Sequence, residues 1–303
     1  MNDEQFLKQV SINRELIVRR NETAYEHMET LVNSYAHLIQ GKAEIMLEMN
    51  KALFKLYFDT DFAGAIDISL NAVEKFKDSP HRNQLAFHMK MIAHCHLHLG
   101  EYDIAMRYLE EAITTLPTDD KDYIPNKVDM LYALAQAEEH KDVRSEKMAE
   151  HLQQALQLLS GEDDIRRANC LMGLGNYYNN IEQPEQALKH FHEAVTTYEK
   201  EYLIQHLSNT YSNMGICYLQ LQDLFGANNY MQKALELRLK AGSPDMLAIS
   251  YSNFGMLYKA TEEYDKAEES LMLSQKIAEE IGFKQLIDKN NLLLNEIGRL
   301  KNR

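Results

Sequence analysis

Apolar and small residues recur along this chain with two periods, a short one typical of an α-helix and a long one of about 40 residues. The stretches YSNMGICY, from Tyr211, and YSNFGMLY, from Tyr251, share five of eight letters and lie 40 residues apart. Stepping back at this spacing finds a small or apolar residue each time, at Leu53, Ala93, Ala135, Gly175, Gly215 and Gly255. A period of this length predicts stacked supersecondary units.

The second half of each unit has its own pattern, in which two alanines seven residues apart occupy one helix stripe. These pairs are Ala65 and Ala72, Ala105 and Ala112, Ala187 and Ala194, and Ala227 and Ala234; the less regular units have Met148 and Ala155, and Ala267 and Ser274. Prolines and glycines fall between the units, where helices end. The pattern predicts six helix–turn–helix units within residues 43–283, at 43–80, 81–122, 123–162, 163–202, 203–242 and 243–283.

Several units combine a small residue, an aromatic residue three positions later, and two alanines in the second helix. Gly175 with Tyr178, Ala187 and Ala194 shows this order, and Gly215 and Gly255 begin similar series. The pattern resembles the tetratricopeptide repeat family, whose usual period is 34 residues. The longer period resembles the subclass of Pins-type scaffolds, kinesin light chains and bacterial Rap-type peptide receptors. The resemblance implies an all-α, right-handed α–α superhelical solenoid that binds a protein or peptide in its concave groove.

The first helices of such a solenoid line the concave face, and here they carry many asparagines. Asn213 lies about 200° around its helix from Gly215, which predicts that it faces the groove. An amide both donates and accepts hydrogen bonds, so it suits the backbone of an extended peptide. The alternative is that these are ordinary exposed asparagines, or that Asn179 and Asn180 simply end a helix. The predicted binding residues are Asn169, Met172, Asn176, Asn209, Ser212, Asn213, Gln220, Ser252, Asn253, Met256 and Lys259.

Charge and chemistry narrow the function further. The net charge of −14 argues against a nucleic-acid partner and against anionic membrane. Three scattered cysteines make no disulfide framework, and no apolar run marks a secretion signal or membrane span, so we expect a cytoplasmic protein. No nucleophile–base set or phosphate loop is found, so we expect neither catalysis nor a cofactor. The acidic runs at Asp119-Asp120 and Glu162-Asp163-Asp164 are predicted to lie in connections or at helix starts.

Three histidines share the predicted groove and leave three interpretations open. His94 and His98 are one helical turn apart, and His140 occupies the matching position one unit later. They would form a three-histidine metal site, a surface that titrates near neutral pH, or plain polar lining. No supporting carboxylate pair or CxxC motif accompanies them, so no metal is predicted.

Both ends fall outside the repeat register. Residues 4–40 are predicted to be helical, and residues 1–42 to cap the array; they are too few for the larger bundle of Rap-type receptors or for a DNA-binding helix–turn–helix. Residues 284–303 are predicted to form a capping or dimerising helix, with a short heptad seam at Leu286, Asn290, Leu293, Ile297 and Leu300. The seam leaves two alternatives open, a homodimer and a sensory module separated from a catalytic output domain. The Rap-type resemblance leaves a third, an enzyme acting on phosphorylated signalling proteins.

Overall fold

The repeat period corresponds to a series of consecutive helix pairs. The computed structural model describes residues 1–159 and 165–302. Every regular element in that part of the chain is helical, which confirms the all-α prediction. The chain divides into two compact units, residues 1–159 and 160–303. The predicted connection Glu162-Asp163-Asp164 lies outside the described residues.

The first unit contains eight α-helices. A 3₁₀ turn, Ala36–Leu38, precedes the third helix, and a π-helical turn, Lys55–Asp59, continues it. The helices are α1 (Asp3–Val18), α2 (Ala24–Ser34), α3 (Lys42–Phe54), α4 (Phe62–Phe76), α5 (Arg82–His98), α6 (Tyr102–Thr115), α7 (Tyr123–Lys141) and α8 (Glu146–Leu158).

The described part of the second unit, residues 165–302, contains seven helices. The first helices of its three pairs are α9, α11 and α13, and α11 contacts both α9 and α13. Each also packs on the second helix of its own pair. The helices are α9 (Ile165–Asn180), α10 (Pro184–Lys200), α11 (Ile204–Gln220), α12 (Leu224–Ala241), α13 (Pro244–Ala260), α14 (Tyr264–Glu280) and α15 (Lys284–Lys301).

The repeated glycines mark the closest approach of the two helices in a pair. A Cβ atom on Gly215 would lie 2.7 Å from Met231 Cγ, and one on Gly255 would lie 2.5 Å from Leu271 Cγ. At Gly175 the nearest atom would be Cε1 of Phe191, at 2.4 Å. These distances are shorter than a carbon–carbon contact allows, so the small anchor residue is required by packing against the second helix.

The turns inside the pairs α5–α6, α9–α10, α11–α12 and α13–α14 have a left-handed residue at a repeated position. Glu182, Gln222 and Glu262 have φ of 61°, 59° and 61°, and Gly100 has 77° at the matching place. Only glycine adopts this region without a steric cost. The turn geometry is therefore common to these pairs, although glycine is present at only one of the four positions.

The N-terminal segment, predicted to be helical over residues 4–40, consists of α1, α2 and the 3₁₀ turn. It breaks after α1, where Arg20 has φ of 52° and Asn21 Oδ1 accepts hydrogen bonds from the backbone N and Oγ1 of Thr23. Asparagine and threonine form such local turns in competition with a helix. Helix α1 then packs against α3, with Phe6 and Val10 fully buried.

The C-terminal helix α15 packs against α13 and α14. Asn290 is fully buried, Leu286 and Ile297 are nearly so, and Ile297 packs with Ala267 and Leu271. The residues of the heptad seam therefore pack against helices of the same chain. No helix in residues 1–159 and 165–302 is long and apolar enough to cross a membrane.

Candidate functional site

Predicted site residues bond across neighbouring first helices of the second unit. Asn213 Nδ2 donates to Asn176 Oδ1 at 2.8 Å and joins α11 to α9. One repeat later, Asn253 Nδ2 donates to Ser212 Oγ at 3.0 Å and joins α13 to α11. The asparagines in the repeated phrase therefore connect successive repeats.

Burial separates these residues into two groups. Asn176 and Asn213 are half-buried, so part of each amide faces solvent. Asn253, Ser212 and Ser252 are at most 5% exposed. Their side chains are held between helices, so a ligand reaches them only if this packing changes.

Two further predicted asparagines are held by side chains of α10 and α12, the second helices of their pairs. Tyr198 Oη donates to Asn169 Oδ1 at 2.8 Å, and Arg238 Nη2 donates to Asn209 Oδ1 at 3.1 Å. Both asparagines are half-buried. Each uses its oxygen as an acceptor, and within the described residues neither Nδ2 group has an acceptor. An amide held by its oxygen in this way keeps its N–H groups as hydrogen-bond donors.

We call the surface formed by these four half-buried side chains the amide face. Its members are Asn169 and Asn176 on α9 and Asn209 and Asn213 on α11. The Asn176–Asn213 bond leaves the Nδ2 group of Asn176 and one N–H of Asn213 without an acceptor among the described residues. The amide face therefore offers several fixed donors from two adjacent helices.

Arg238 holds Asn209 of the amide face through its hydrogen bond. This arginine was not among the residues selected from the sequence. It is 3% exposed, and its Nη1 donates to Ser250 Oγ at 2.9 Å and to Met246 O at 3.2 Å. Burial lowers the pKa of Arg238 to about 10. The sequence did contain an indication of this role. Arg238 lies 40 residues, one repeat, after Tyr198, and both side chains hold an asparagine of the amide face.

The remaining predicted residues lie in different environments. Met172 is half-buried, with its sulfur 3.8 Å from Tyr198 Oη. Met256 is also half-buried, and Gln220 is exposed at the end of α11. Lys259 forms an ion pair with Glu296 on α15. A partner that uses Lys259 would have to compete with this carboxylate.

A tyrosine and a cysteine near the amide face are held in neutral, hydrogen-bonding forms. Burial and the adjacent Glu199 raise the pKa of Tyr211, whose Oη donates to Glu199 Oε1 at 2.6 Å. Burial raises the pKa of Cys217 to about 12, and its Sγ donates to Asn179 Oδ1 at 3.3 Å. A thiol that stays protonated is a poor nucleophile. Cys217 thus acts as a packing residue here.

The three histidines are not arranged as one cluster of ligands. His94 and His98 meet at 3.3 Å between their Nε2 atoms, and His98 stacks on Phe62. His140 instead stacks on the ring of Tyr102, with centroids 5.0 Å apart. Within the described part of the chain, no group of three His, Cys, Asp or Glu side chains is placed to hold a metal ion.

Comparison with known proteins agrees with the repeat geometry. Models of the tetratricopeptide repeat match residues 206–280, 167–208 and 91–117. A curated relative, the response regulator aspartate phosphatase E of Bacillus subtilis (strain 168), is 26% identical over 167 residues, which are 52% of this chain and 42% of the relative. The match thus spans less than half of the length of that relative.

Two solved structures resemble the whole chain in fold. The apo form of RapI has a TM-score of 0.70 and 15% identity, and covers 99% of this chain and 87% of its own. NprR in complex with its cognate peptide NprX has a TM-score of 0.64 and 16% identity, and covers 96% of this chain and 82% of its own. The matched models, the glycine anchors and the helix pairs together identify tetratricopeptide repeats in residues 91–117 and 167–280 of this chain.

Proposed function

We propose that this chain is a non-catalytic interaction module that binds a peptide or a segment of a partner protein on the amide face. The observation that carries the proposal is that Tyr198, Arg238 and the Asn176–Asn213 bond hold four asparagine amides in place while leaving N–H donors free. Prepositioned donors reduce the entropy lost on binding.

The chemistry of the amide face favours an extended peptide. Side-chain amides bind backbone carbonyl and N–H groups whatever the side chains of the peptide are. Half-buried Met172, whose sulfur lies 3.8 Å from Tyr198 Oη, and half-buried Met256 on α13 would supply adaptable apolar contacts for those side chains. The structural likeness to NprR, which was solved with a peptide, is in line with this proposal.

The test compares two double variants. Asn176→Ala with Asn213→Ala removes both partners of one hydrogen bond, so neither amide is left unpaired. Asn228→Ala with Asn229→Ala changes two exposed asparagines on α12 and is the matched control. Wild type and both variants are used to select binders from a displayed library of random heptapeptides, and selected peptides are then synthesised for titration.

We expect wild type and the α12 control to select the same peptides and to bind them equally. The Asn176/Asn213 variant should bind them at least about tenfold more weakly, as expected for the loss of hydrogen bonds worth ~1.5 kcal/mol in total. Circular dichroism checks that its helical content is unchanged. Equal affinity of all three proteins would show that the amide face does not bind peptides.

A second candidate is a peptide-responsive regulator of a bacterial signalling system that acts on response regulators. It is favoured by the relative named as a response regulator aspartate phosphatase and by the full-length likeness to RapI. Its test is to add the chain to phosphorylated response regulators and follow the loss of phosphate. A rate equal to spontaneous hydrolysis for all of them would contradict the catalytic form of this candidate.

A further inference from the structure

The first unit contains a cavity that is separate from the amide face and independent of the proposed peptide binding. Its volume is about 270 Å³, near the lower end of the range for small-ligand pockets. It lies among α1, α3, the π-helical turn and α5, and most of its lining is apolar, including Met49, Leu53, Leu56, Phe87 and Met91. Single π-helical turns occur frequently at functional sites.

The wall of this cavity contains a charged side chain that has no ionic partner among the described residues. Arg14 lines it, and the Nε of Arg14 donates to Asn50 Oδ1 at 3.3 Å. Its Nη2 is buried and has no hydrogen-bond partner within residues 1–159 and 165–302. Burial lowers the pKa of Arg14, and no carboxylate within the described residues pairs with it. An uncompensated buried guanidinium is costly, and an anion beside it would remove that cost.

The other basic groups at the cavity are already engaged. Lys90 pairs with Asp129 at 3.1 Å, and His94 contacts His98. Burial is the main cause that lowers the pKa of His94, and the nearby His98 and Lys90 lower it further. The lowered pKa favours the neutral form of His94. Arg14 is therefore the positive charge at this wall that an additional ligand would compensate.

We infer that this cavity binds a small monoanionic carboxylate with an apolar tail. The tail would occupy the space among Leu53, Leu56 and Met91, and the carboxylate would lie beside Arg14. A turn of the side chain brings Nη2 to the carboxylate, in the two-pronged geometry that arginine favours. A single unpaired cation and a protein net charge of −14 disfavour ligands with several negative charges.

The test uses octanoate, octan-1-ol and octylammonium as probes, titrated calorimetrically into the full chain near neutral pH. Octanoate and octan-1-ol have similar tails and differ in the charge of the head group. We expect one octanoate per chain, with octan-1-ol at least about tenfold weaker and octylammonium weaker still. Arg14→Met should reduce the affinity for octanoate to that for octan-1-ol, and the exposed Arg19→Met is its matched control.

A second variant keeps the inference testable if Arg14→Met does not fold. Val18 is 50% exposed and lines the cavity, so Val18→Trp should obstruct it without changing the core. Ile124→Trp, at a residue that is 45% exposed and outside the cavity lining, is its control. We expect Val18→Trp to lose octanoate binding and Ile124→Trp to keep it. Absence of octanoate binding, equal affinity for octanoate and octan-1-ol, or unchanged binding by Val18→Trp would each overturn the inference.

Discussion

Asn213 on α11 and Asn176 on α9 are 37 residues apart in sequence, and their side-chain amides meet at 2.8 Å. The bond joins the first helices of two successive repeats at a half-buried position. It therefore contributes both to the stacking of repeats and to the geometry of the amide face.

The Asn176–Asn213 bond should appear as an energetic coupling. Asn213→Ala alone should lower the free energy of unfolding by about 0.5–1.5 kcal/mol, because the Asn176 oxygen loses its donor. The double variant should cost little more than either single variant, since neither partner is then left unpaired. Urea unfolding of the four proteins measures this. Strictly additive losses would contradict a direct bond.

Gly215→Ala should destabilise the second unit by about 1–3 kcal/mol, because the new methyl group overlaps with Met231. Gly298→Ala, within α15, is the matched control, since a Cβ there meets no heavy atom within 4 Å. That change should stabilise by about 0.5–1 kcal/mol through helix propensity. Thermal unfolding of both variants measures whether the two changes in stability have opposite signs. Stabilisation by both changes would mean that the close approach at Gly215 is not limiting.

Gln222→Gly should stabilise the second unit, because residue 222 has φ of 59° in the turn between α11 and α12. Glycine relieves the steric cost of this conformation, although it also increases the entropy of the unfolded chain. We expect a net gain of about 0.5 kcal/mol. Gly100→Gln, the reverse change at the matching turn of the first unit, should destabilise. Both are measured as shifts in the unfolding midpoint, and a loss of stability in Gln222→Gly would contradict the steric argument.

His88 should make the first unit less stable in acid. It is fully buried, its Nε2 lies 3.1 Å from the Ile45 carbonyl oxygen, and burial lowers its pKa. The unfolded chain, with a histidine pKa of ~6.5, then binds a proton that the folded chain does not. The contribution of neutral His88 is thus present above pH ~6.5 and is lost as the pH falls toward its folded pKa.

The matching experiment compares wild type with His88→Gln, which keeps a neutral donor for the Ile45 carbonyl. Unfolding in urea is measured about one pH unit above and below ~6.5. The variant should lose less stability on acidification, and the remaining loss should come from other histidines whose pKa burial lowers, such as His27, His151 and His190. An unchanged pH dependence would show that folding does not shift the pKa of His88.

Asn290→Leu should distinguish the two roles considered for α15. Asn290 Oδ1 accepts from Ser252 Oγ at 2.7 Å, and its Nδ2 donates to Ser274 Oγ at 2.8 Å. Leucine would leave both hydroxyls short of a partner and should lower the free energy of unfolding by about 1–3 kcal/mol. In a coiled-coil dimer the same change should strengthen association. Light scattering and thermal unfolding together separate these outcomes.

The sequence by itself determined the repeats and the small anchor residues. The two helices of a pair are close in sequence and approach each other closely in space. This packing requires small residues at fixed spacings, such as Gly215 and Ala227, and the spacing can be seen in the sequence. The all-α class follows from the same periodicity. The asparagines on first helices could also be selected, because their angle from the anchor follows from helix geometry.

Only the tertiary structure decided which of those asparagines are available. Asn253 is buried against Ser212, 41 residues away, whereas Asn213 bonds to Asn176 and stays half-exposed. Arg238 and Arg14 likewise acquire their roles from helices distant in sequence. The physical reason is that periodicity gives the direction of a side chain from its own helix. Its burial and its partner depend on the neighbouring helix, whose distance and rotation the pattern of one helix does not contain.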